Sequence, residues 1–140
     1  MKLKHLFTLL AAFAIAVPAF AADDDTPLAK EMGKISKALK FINRSIGDAS
    51  KKDECLAKAT EAKAANVAAL KYEPAKTKEV PAAEKAKFLA GYKSSMEEAG
   101  KSLDALKTAI EAGKTDDVKA ILDKLNGEKK EGHKKFKADD

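Results

Sequence analysis

The chain has 140 residues, 27 Lys+Arg against 22 Asp+Glu, a formal net charge of +5, 45% hydrophobic residues, no Trp and one Cys. This length allows one domain with a modest core, and one cysteine excludes an internal disulfide framework or a cysteine-based structural zinc site. Seven Gly and four Pro are too few for a loop-rich β-sandwich, whereas the abundance of Ala, Lys, Leu and Glu is that of long helices.

Residues 1–21 have the layout of a cleavable secretory signal peptide. Lys2 and Lys4 precede an apolar run from Leu6 to Val17 broken only by Thr8, and Pro18 leads into Ala19-Phe20-Ala21. The run is shorter than the ~20 residues of a membrane-spanning helix. A bacterial periplasmic address is expected, with a mature domain over residues 22–140. Removing residues 1–21 takes away Lys2, Lys4 and His5. It leaves 119 residues with 25 basic and 22 acidic side chains, a net +3 and the single histidine His133. In an oxidising compartment, the lone Cys55 reads as a buried small residue or as an occasional intermolecular thiol.

Thr26-Pro27 starts the first helix, a hydroxyl cap followed by proline at the first helical position. Leu28, Met32, Ile35, Leu39, Ile42 and Ile46 then make one apolar stripe that ends at Gly47-Asp48. An Ala-rich second segment runs from about Ser50 to Leu70, with a thin core side of Cys55 or Leu56, Ala59, Ala62, Val67 and Leu70. Tyr72 to Pro81, which includes Pro74, cannot continue a helix and is the longest connection. A third segment over Pro81–Ala112 carries Phe88, Tyr92, Met96, Ala99, Leu103, Leu106 and Ile110, and Gly113 is its C-terminal cap. Thr115, with Asp116 and Asp117 favourable to the helix dipole, opens a fourth with Val118, Ile121, Leu122, Leu125, His133 and Phe136. No alternating strand pattern of useful length occurs. The expected fold is all-α, an antiparallel up-down-up-down four-helix bundle.

In such a bundle the starts of helices 1 and 3 and the ends of helices 2 and 4 share one pole. That pole gathers Met32, Val67, Leu70, Phe88, Tyr92, His133 and Phe136. A methionine on an apolar stripe is ordinarily core, and a lone histidine on an inner face is ordinarily a satisfied core or boundary residue. Together, on facing helices, thioether and imidazole are the axial pair of an electron-transferring haem. The aromatic and aliphatic side chains would line an apolar slot, and small residues on helix 2 leave room for a flat macrocycle.

The chain resembles the cytochrome b562 family of four-helix-bundle haem proteins. The likeness lies in Leu28-Ala29-Lys30-Glu31-Met32 with Ile35, Leu39, Lys40 and Ile42, and in Phe88 to Tyr92. It continues in Glu111-Ala112-Gly113-Lys114 and Gly132-His133-Lys134-Lys135-Phe136. The resemblance implies one non-covalent haem b with Met32 and His133 as iron ligands, Phe88 and Tyr92 in the haem pocket, and one-electron transfer as the activity. A c-type attachment is not available, because a C-x-x-C-H motif ending at His133 would need cysteines where Lys129 and Gly132 stand.

Other chemistries are weaker. A di-iron bundle needs Glu-x-x-His motifs, and Lys130 stands three residues before the only mature histidine. Glu128 and Glu131 beside His133 suggest no more than an adventitious metal site. Cys55 shows no sign of activation, and an iron with both axial positions filled offers no substrate site, so no enzyme is expected. Lysines alternate with carboxylates around the helices, which argues against nucleic acid. The local excess at Lys129, Lys130, Lys134, Lys135 and Lys137 is a dipole-favourable helix end. Its sharper reading places Lys129 near the haem propionates and beside an acidic redox partner of a monomeric protein. The alternative function is a haem-free periplasmic helical binding or stress-response module on the same scaffold.

Overall fold

A computed structural model describes residues 25–138; the expected signal peptide over 1–21 lies outside them. Four α-helices follow in order, α1 Pro27–Ser45, α2 Lys52–Ala69, α3 Lys85–Glu111 and α4 Thr115–Phe136, and no strand occurs among the described residues. None of these helices is long and apolar enough to cross a membrane.

Local chemistry sets the helix ends. The Thr26 side chain accepts from the Ala29 backbone N–H at 3.1 Å, and Pro27 follows at the first helical position. At the end of α3, Lys114 N–H donates to Ala109 O and Gly113 N–H to Ile110 O, both at 3.0 Å, with Gly113 at φ 69°. This double return needs a left-handed residue, which glycine adopts without a Cβ penalty. The third helix begins at Lys85 and not at Pro81, because Pro81–Glu84 closes a turn through Glu84 N–H to Pro81 O. Between α2 and α3, Ala75–Lys78 forms a short 3₁₀ helix.

Consecutive helices pack along their lengths, whereas α1 and α4 barely touch. The main core sits toward the α1–α2 and α3–α4 turns. Ile42, Leu103, Leu106, Ile110, Val118 and Cys55 are fully buried there. The second helix has no large apolar stripe and contributes Cys55, Ala59 and Ala62, small side chains that let it lie close to its neighbours. Lys52 Nζ closes this pole by donating to Glu111 O at 2.8 Å.

A second, smaller cluster forms at the other pole from Ala69, Tyr92 and Met96, with Leu28, Met32, Leu70 and Phe136 packed on it. Val67 departs from expectation. It is 50% exposed, because Ala65, Asn66 and Ala69 take the inner face of the last turns of α2 and rotate Val67 outward.

Candidate functional site

The α1–α4 side of the bundle opens into a cavity of about 600 Å3, within the range of small-molecule and cofactor sites. Its walls come from the start of α1, the end of α2, the first half of α3 and the end of α4, the four segments that bundle topology brings to one pole. Met32 and Ser36 face it from α1, Tyr92 and Met96 from α3, and Lys129, His133 and Phe136 from α4. Asn66 contributes from α2, and Pro74 and Ala75 from the connection that follows it.

Aromatic rings brace one wall. The Phe136 ring meets Tyr92 edge-on at 5.6 Å and Phe88 at 5.3 Å, a geometry favoured by the ring quadrupoles. Phe88 touches the cavity only through Phe136, since it is not itself on the lining. Tyr92 is buried, and its hydroxyl donates to Ala69 O at 3.0 Å. Ala69 O also accepts from Tyr72 N–H at 3.1 Å, so the tyrosine is a second donor to a carbonyl at the end of α2. Burial pushes the Tyr92 phenol up to about 12, so it remains a neutral donor.

The two proposed iron ligands occupy different depths. Met32 is half-buried against the Tyr92–Met96 cluster. His133 lines the cavity but is exposed, in contrast to the inward position expected from periodicity. Its exposure follows from the gap between α1 and α4, which leaves the last turns of α4 without a neighbour on that side. Partial desolvation first, and then the positive charges of Lys129 and Lys137, hold the imidazole below its ordinary value. Both effects favour the neutral ring, the form that ligates metals.

Lys129 reaches across the gap, donating from Nζ to Ser36 Oγ at 2.9 Å. Behind it, Glu128 Oε1 accepts from Ser102 Oγ at 3.0 Å and pairs with Lys124 Nζ at 2.9 Å. Its Oε2 is buried without a hydrogen-bond partner. Among the described residues no three His, Cys, Asp or Glu side chains converge on a metal position. Cys55 is fully buried in the opposite core, away from the cavity.

Asn66 was not foreseen. It is 2% exposed, and its Nδ2 donates to Met96 O at 3.1 Å. A Cβ on Gly100 would lie 2.9 Å from Asn66 Oδ1, so this contact requires glycine on the facing helix. The visible signal was a lone amide in an alanine run, with a glycine on the next helix. Met96 was legible as an apolar stripe position, but its place on the cavity wall was not.

A four-helix bundle with a methionine and a histidine from separate helices lining one largely apolar pocket has the form of a helical cofactor-binding protein. The family model described as Cytochrome b562 matches residues 27–137, four-fifths of the chain. The chain belongs to the cytochrome b562 family, haem-binding helical bundles whose cofactor is a b-type haem. Searches of curated proteins and of solved structures gave no significant match.

The pocket suits such a group on its own chemistry. It has cofactor-scale volume, an apolar aromatic wall, one soft and one nitrogen donor, and lysine at its edge for carboxylates.

Proposed function

We propose that the protein is a periplasmic electron carrier, with residues 22–140 as its mature domain, that holds one haem b non-covalently through Met32 and His133. The observation that carries this reading is the meeting of these two donors, from α1 and α4, on the walls of one cavity.

Each residue has a separable task. Met32 and His133 would hold the haem iron through one thioether and one imidazole, a pairing suited to electron transfer. A carrier and not an enzyme is the consequence. When bound, haem supplies a one-electron iron couple whose potential is set by the axial ligands and the polarity around them. Tyr92 and Phe136, with Phe88 behind them, form the apolar wall that excludes water. Tyr92 also ties α3 to the end of α2 through its hydroxyl. Lys129 is placed to exchange its bond with Ser36 for a propionate, a charge-assisted and therefore stronger partner.

The periplasmic location is supported by the layout of residues 1–21. Lys130, Lys134 and Lys135, exposed around His133, favour an acidic redox partner. No membrane or nucleic-acid contact is called for, and a monomer suffices for the activity.

Protein purified from a periplasmic fraction tests the reading. A red sample with a sharp α band on reduction is expected. A colourless sample that stays colourless with added haemin would instead favour the haem-free binding module.

A further inference from the structure

Beyond residues 1–21 the chain holds two methionines and one histidine, Met32, Met96 and His133. All three line the same cavity. The two thioether side chains also belong to one packed cluster, Met96 buried and Met32 half-buried against it. Ligation of haem by Met32 and His133 would leave the second thioether, a packed core side chain, without a part in holding that iron.

Two thioethers and one imidazole form a neutral, soft donor set. Thioether sulfur selects Cu(I), and imidazole suits copper as well. Hard or borderline divalent ions find no comparable place, since no three His, Cys, Asp or Glu side chains converge among the described residues. Each methionine has three rotatable bonds to bring its sulfur to a shared point. His133 is exposed at the mouth, which gives an ion a way in. Cys55, the strongest Cu(I) ligand in the chain, is fully buried in the opposite core and so withheld.

We infer that the haem-free protein binds one Cu(I) ion through Met32, Met96 and His133, one donor from each of α1, α3 and α4. Because Met32 and His133 serve both groups, copper and haem exclude one another. That exclusion rests on the haem reading; the copper site does not.

The test uses the haem-free mature chain in a Cys55→Ala background, without oxygen. Cu(I) is supplied as its acetonitrile complex and competed with bathocuproine disulfonate. One Cu(I) per chain is expected, with affinity at least tenfold weaker in Met96→Leu, which keeps the side-chain volume. Haemin should release the bound copper from the parent. If Met96→Leu loses helicity, Met32→Leu at its half-buried position carries the same test. Failure of the parent to take Cu(I) from the chelator would overturn the inference, as would unchanged affinity in the methionine variant. Copper binding without haemin uptake would sink the haem reading alone, whereas haemin uptake without copper binding would sink the copper site alone.

Discussion

The two poles of this bundle use the same helices for different ends. At the closed pole, Ile42, Leu106, Ile110 and Val118 are fully buried, and Lys52 and Gly113 secure the helix ends around them. At the open pole α1 and α4 part, the apolar cluster is small, and a cavity takes the place of core. Folding free energy is concentrated at one end, which leaves the other free to carry donors that a packed interior would not need.

Substitutions should separate the poles, and the largest effect belongs to the closed one. Leu106→Ala should cost about 2–5 kcal/mol, read from urea denaturation of the haem-free protein. Met32→Ala, at a half-buried site on the cavity, should cost well under that and yet change the haem spectrum. Comparable losses from both would erase the division of labour.

Next in size is a contrast between glycines. Gly100→Ala places a Cβ 2.9 Å from Asn66 Oδ1, where the facing helix leaves no room, and should destabilise by about 1–3 kcal/mol. At Gly127 and Gly132 in α4 a Cβ meets nothing within 4 Å. Alanine at either position should therefore stabilise, by up to about 1 kcal/mol through helix propensity. Thermal unfolding of the three variants gives the signs directly.

Tyr92→Phe removes the bond to Ala69 O and should cost about 1 kcal/mol at neutral pH. The pH dependence is more specific. The folded phenol, raised to about 12, holds its proton more tightly than the unfolded one near 10. Its contribution is fully present below pH 10 and is lost as pH climbs through about 12. Stability measured from pH 9 to 12 should fall less steeply in Tyr92→Phe. The smallest effect is that of Lys129→Ala, which should shift haem-free stability by no more than about 1 kcal/mol. It should nevertheless speed haemin loss and weaken the salt dependence of electron transfer to an acidic partner. Unchanged haemin retention would remove Lys129 from the site.

The sequence was most legible where one face is dry and the other wet. The α1 stripe, the Thr26-Pro27 start and the Gly113 cap each follow from local rules, and each stands where expected. The second helix was less legible because its inner face is built from alanines, whose small side chains give almost no periodic contrast. Val67 was consequently assigned to the wrong face, and the choice between Cys55 and Leu56 fell to Cys55 only in the packed structure, with Leu56 partly buried beside it. The grouping of Met32, Tyr92, His133 and Phe136 at one pole followed from topology alone. The exposure of His133 did not, since periodicity assigns a face but cannot reveal that α1 and α4 barely touch. Asn66, Ser36 and Glu128 depend on contacts between helices, which no single helix pattern encodes.

The claim that Met32 and His133 jointly hold the iron is tested most directly by haemin titration of the haem-free parent, Met32→Ala and His133→Ala, followed by absorption spectroscopy. The parent should bind one haemin with a low-spin spectrum. Met32→Ala should bind it in high-spin or altered form, and His133→Ala should lose most of it. Wild-type spectra in both variants would contradict the assignment even if the parent protein is red.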